Sequence, residues 1–115
     1  MNEQKILTLL GFASKAKKLV YGKDNIREYI KNPKIKTKVI LIAKDTGQRV
    51  KKDIKIRCDI SNVPFVEIAD KKTLSKATGM LNIAILGILD ENMAKSILNF
   101  SKEGGENESK NINSE

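Results

Sequence analysis

The chain has 115 residues, a formal net charge of +8, no histidine and one cysteine. Its length holds one domain with a real core, and the missing histidine excludes serine–histidine triads and imidazole metal sites. No apolar run approaches the roughly 20 residues of a bilayer span, residues 1–5 lack a signal-peptide pattern, and the lone Cys58 fits a reducing cytoplasm.

The spacing of Ile6, Leu9, Leu10 and Ala13 predicts a helix over residues 3–16 with one apolar face. Lys15, Lys17 and Lys18 follow at its C-terminal end, where cations suit the helix dipole and are equally available to phosphates. Leu19, Val20 and Tyr21 make a brief strand. Gly22 then opens a helix over residues 23–31, with Ile26, Tyr29 and Ile30 inward, which Asn32 and Pro33 end. A glycine at a helix start lets another molecule's backbone approach the free N–H groups of the first turn. Their partial positive charge suits a phosphate or a polar anionic edge.

Residues 39–43 form a continuous apolar run, as in a strand covered on both faces. Asp45 and Thr46 are expected to cap a helix over 47–60 that buries Val50, Ile54 and Cys58, while Lys51, Lys52, Lys55 and Arg57 face elsewhere. A turn at 62–64 leads into a short strand over 65–68. Asp70 caps a brief helix over 71–76, with Leu74 and Ala77 inward, and Thr78 and Gly79 stop it. After a loop at Met80, Leu81 and Asn82 comes a second apolar strand, 83–89. Asp90 caps a last helix through Phe100 that buries Met93, Ala94, Ile97 and Leu98. Residues 101–115 are too polar to order themselves and are expected to be a disordered tail behind a domain of residues 1–100. Alternating helices and strands imply a three-layer α/β/α sandwich around a four-stranded, mostly parallel or mixed sheet.

The charge is uneven. Residues 1–60 hold 16 Lys+Arg against 6 Asp+Glu, whereas residues 61–115 hold 6 against 8. A basic half suits a polyanion partner, although a generally lysine-rich proteome gives the same composition. No phosphate-binding glycine motif or metal-ligand spacing occurs, Asp90 and Glu91 fit a helix start, and Ser14, Ser61, Ser75 and Ser96 have no base. The expectation is therefore a protein without catalytic residues, metal or cofactor.

Residues 5–99 resemble the kink-turn RNA-binding ribosomal proteins (the L-seven-Ae, L-thirty-e, S-twelve-e and growth-arrest superfamily), and among them the small bacterial YlxQ-type proteins. The likeness is carried by Leu10-Gly11-Phe12-Ala13, Lys18-Leu19-Val20 with Gly22, and Ile42-Ala43-Lys44-Asp45. Cys58, Asn62-Val63-Pro64, Leu74, Gly79, Asp90-Glu91 and Ala94-Lys95-Ser96 continue it.

The resemblance implies a mixed four-stranded α/β/α sandwich that grips RNA on one edge. The family's Gly-x-Asn-Glu-x-x-Lys pattern reads Gly22, Lys23, Asp24, Asn25, Ile26, Arg27, Glu28 here: the glycine matches, while Asp24, Asn25 and Glu28 depart from it. Asn25 accepts a hydrogen bond without the charge assistance of a glutamate, and Glu28 puts a negative charge where the family has a positive one. Lys44 matches the segment after the second strand, and Gly79, Met80, Leu81 and Asn82 match an apolar loop before the last strand. Lys17, Lys18, Lys23 and Arg27 are expected to attract phosphates. The implied partner is structured RNA, a kink-turn or bulged helix, bound by a cytoplasmic, monomeric, ribosomal or ribosome-associated protein that also meets ribosomal proteins. The alternative is a protein-interaction adaptor of the translation machinery with weakened RNA binding.

Overall fold

The computed structural model describes residues 1–103. Among them the chain order is α1 (Glu3–Lys15), β1 (Leu19–Val20), α2 (Lys23–Lys31), β2 (Ile40–Ile42), α3 (Gln48–Ile60), β3 (Phe65–Glu67), α4 (Lys71–Thr78), β4 (Ile85–Ile88) and α5 (Glu91–Lys102). The four strands form one sheet in the order β1-β4-β2-β3. β2 and β3 are parallel, whereas β4 is antiparallel to both β1 and β2. The sheet is mixed, as expected.

One consequence of this pairing positions the site. β1, β2 and β3 all run in one direction, and each leads directly into a helix. The N-termini of α2, α3 and α4 therefore gather at a single end of the sheet, beside the start of β4.

Two apolar cores separate the layers. Ile6 and Leu10 of α1, Leu74 of α4, and Ala94 and Ile97 of α5 pack on Leu41, Leu86 and Ile88. On the other face, Ile26, Tyr29 and Ile30 of α2 and Ile54 and Cys58 of α3 pack on Ile40. Alternate residues of β2 thus serve opposite cores, as the period of a strand requires. Cys58 is wholly buried in the second core, as expected, and burial raises its thiol to about 11.

Tyr29 closes the far end of the sheet. Its hydroxyl accepts from the Val39 and Ile88 N–H groups at 3.0 and 3.3 Å and donates to the Ile88 carbonyl at 2.7 Å. The ring reaches this position because residue 87 is glycine: a Cβ there would stand 2.9 Å from the Tyr29 ring.

Four local expectations are corrected. Val50 is 49 % exposed and Lys51 only 8 %, because Lys51, Ile54 and Cys58 follow the three-then-four spacing of one helix face better than a strict repeat of four. The Lys51 stem is covered, while its Nζ bonds the Lys44 carbonyl at 2.8 Å and Glu67 at 3.1 Å. Neither Asp45 nor Thr46 caps α3, whose N-cap is Gly47 with no side-chain bond. Asp45 instead accepts from the Lys71 N–H at 2.9 Å, beside the true α4 cap Asp70. Finally, α4 continues to Thr78, with Thr78 and Leu74 buried and Ala77 half-buried. α5 runs to Lys102, so residues 101 and 102, expected in the polar tail, are helical; the rest of that tail beyond residue 103 lies outside the described residues.

Candidate nucleic-acid interface

At the end where the helices begin, α2 and α3 each start on a glycine. Gly22 sits at φ 88° and ψ 143°, backbone that side-chain-bearing residues essentially never adopt. Neither Gly22 nor Gly47 offers a side chain to the first-turn N–H groups, which stay free for solvent or a guest. α4 differs. Asp70 accepts from the Thr73 N–H at 2.7 Å, and the Thr73 hydrogen bonds hold its carboxyl below the usual range. Only two of the three helix starts at this end are left uncapped.

Between those two lies a cavity of about 520 Å³. Ile26, Val50, Ile54, Ile83 and Ile85 make its apolar walls, and Lys23, Arg27 and Arg49 bring cations to its rim. Asp53 is the carboxylate lining it, and it pairs with Arg27 at 3.8 Å and Arg57 at 3.1 Å. Arg49 is exposed and makes no ion pair among the described residues. An apolar hollow with free N–H groups and cations at its mouth suits a flat, polar-edged ring attached to phosphates.

The residues singled out in the sequence do not all gather at one place. Gly22, Lys23, Arg27 and Asn82 line the same cavity. Asn25 and Glu28 line a separate hollow of about 360 Å³ beside Tyr21 and Leu89, and the Asn25 side-chain amide donates to the Tyr21 carbonyl at 3.1 Å. Asp24 is exposed in the first turn of α2, where a carboxylate suits the dipole.

Lys44 is exposed just past β2 at the same end. Its backbone is fixed by bonds to Ala69 and to Lys51, and Glu67, which receives Lys51 and Lys55, is held below the usual carboxylate range chiefly by those hydrogen bonds. Gly79 ends α4 in the left-handed conformation, Met80 is half-buried against the first core, and Leu81 is 87 % exposed. Lys17 and Lys18 stand apart from the rest. Lys18 accepts from the Leu89 N–H at 2.7 Å, which places it at the opposite end of β1, about 13 Å from Gly22 along extended backbone.

Sequence reasoning missed Arg49, Val50 and Asp53 as lining residues. The available signal was a second glycine-led helix start, at Gly47, followed by a cation and an apolar residue.

The family model of the ribosomal protein L7Ae/L30e/S12e/Gadd45 family matches residues 4–98. The chain is 24 % identical over 92 residues to the RNA-binding protein YlxQ of Bacillus subtilis (strain 168), covering 80 % of this chain and 90 % of the relative. It is 30 % identical over 94 residues to the RNA-binding protein YlxQ of Enterococcus faecium, covering 82 % and 88 %. Among solved structures, a Bacillus halodurans C protein of unknown function superposes with a TM-score of 0.79 at 23 % identity, over 86 % of this chain and 98 % of that one. The Giardia lamblia 15.5kD RNA binding protein superposes at 0.68 and 17 % identity, over 85 % of each. With its mixed sandwich and nearly the whole described region matched, the chain belongs to the L7Ae/L30e/S12e/Gadd45 family of ribosomal proteins.

Proposed function

We propose that the protein binds structured RNA, a kink-turn or bulged helix, without catalysing a reaction, and that it acts in the cytoplasm on or beside the ribosome. The observation that carries this reading is the cavity between two uncapped glycine-led helix starts, rimmed by Lys23, Arg27 and Arg49. The relatives' names as RNA-binding proteins support it.

In this reading an unpaired base enters the cavity against Val50, Ile83 and Ile85, with Asn82 at its polar edge. The first-turn N–H groups of α2 and α3 and the three rim cations take the flanking phosphates. Lys44 adds charge from the same end. Lys17 and Lys18, at the other end of β1, serve as distant attraction or as contacts to a longer RNA. The paired Arg27 and Arg57 leave Asp53 little net repulsion toward phosphate.

The test is titration of a bulged or kinked RNA duplex and a plain duplex at two salt concentrations. Arg49→Glu should weaken the bulged RNA by roughly tenfold and lower the salt slope by about 1, since among the described residues the wild-type arginine has no ion pair to lose. Equal affinity for bulged and plain duplex would reject the reading.

A further inference from the structure

The geometry points to a second RNA contact: the groove between α1 and α4 stacks an unpaired nucleotide on Phe12, extending the footprint of an RNA seated in the α2–α3 cavity. This rests on RNA being the partner and adds a surface on the opposite helix layer.

Phe12 projects from α1 and is 56 % exposed. It lines a groove of about 430 Å³ with Lys15, Lys76 and Gly79, and none of the lining residues is acidic. The chain has three phenylalanines. Lys5 lies over the Phe100 ring at 5.3 Å and Lys55 over the Phe65 ring at 5.2 Å, but no cation covers Phe12 among the described residues. An uncovered ring flanked by cations is the arrangement that takes a base on its face and phosphates at its sides.

The floor of the groove is fixed. A Cβ at Gly11 would stand 3.2 Å from the Ala77 carbonyl, and the Ser14 hydroxyl donates to the Thr78 carbonyl at 2.6 Å. The helices cannot close over the ring without breaking that contact.

The groove also adjoins the cavity. Gly79 lines the groove and Asn82 lines the cavity, so at most about 10 Å of backbone separates them. Leu81, 87 % exposed, stands between. A strand leaving the cavity beside Asn82 crosses Leu81 and arrives at Lys76 and Phe12. The exposed ring between Lys15 and Lys76 favours RNA over an acidic peptide, because a base stacks on its face while the phosphates on either side take the two cations.

The experiment compares a bulged duplex with and without a short unpaired extension on either strand, for the full chain. The extension should tighten binding about tenfold. Phe12→Ala should abolish that gain without changing the melting temperature, and Phe12→Tyr should keep it. Lys15→Glu with Lys76→Glu should flatten the salt dependence of the extended RNA alone. An extension that adds nothing, or a gain that survives Phe12→Ala, overturns the inference. So does a Phe12→Ala protein that binds every RNA normally but loses a ribosomal-protein contact. If bulged and plain duplexes bind alike, the cavity reading fails on its own. A single-stranded oligonucleotide that still weakens with Phe12→Ala would then uphold the groove.

Discussion

The two ends of the sheet handle their polar groups in opposite ways. At the far end, one buried hydroxyl on Tyr29 satisfies the N–H groups of Val39 and Ile88 together. Glycine at 87 exists there to admit the ring. At the end where the helices begin, two helices start without a cap over a hollow of about 520 Å³. Buried donors without partners cost free energy, so a domain completes its bonds wherever it needs only to stay folded. Where it leaves donors at the surface beside cations, those groups are available to another molecule.

Breaking the far end should have the largest effect. Tyr29→Phe leaves two buried N–H groups without an acceptor and should destabilise by about 3 kcal/mol in chemical denaturation. RNA affinity of the folded fraction should stay unchanged. A loss of affinity at full folding would show that the two ends are not separate.

The open end should respond the other way. Gly22→Ala forces a Cβ into backbone that favours glycine and should cost about 2 kcal/mol. It should also weaken RNA by more than that stability loss explains, measured at a temperature where the variant is fully folded. Unchanged affinity would mean that the α2 start does not meet the RNA.

The smallest effect sharpens the comparison at Glu67, which ties Lys51 and Lys55 behind the open end. Its pKa is lowered in the folded state, so its contribution is complete above the unfolded carboxylate value, near 4.3, and disappears as pH falls through the folded value. The group is one-third exposed, and solvent screening limits the contribution to about 1 kcal/mol. Glu67→Gln should therefore melt below wild type at pH 7 and converge with it as the pH falls below about 4. A gap that stays constant across that range would rule the ion network out.

Much of the fold was legible because apolar spacing and turn residues agree along the chain. The buried run at 39–43 and the stripe of Ile26, Tyr29 and Ile30 needed no tertiary information. The miss in α3 had a physical cause. Lysine at 51 reads as a solvated charge, yet its stem is covered and its amine finds Lys44 and Glu67, contacts supplied by distant chain. Asp45 was legible as an acceptor for a helix start but not as one for the Lys71 N–H beside the α4 cap Asp70, because that choice depends on how β2 and β3 pair. The candidate cavity was legible where its lining is local, at Gly22, Lys23 and Arg27. Its other wall, Arg49 and Val50, comes from a helix that only the parallel pairing of β2 and β3 brings alongside.

The Tyr29 anchorage bears on how α2 responds to a visitor. Tied at its tail to Val39 and Ile88 through the Tyr29 hydroxyl and seated along its length by Ile26 and Ile30, that helix holds its uncapped first turn at a set height over the sheet.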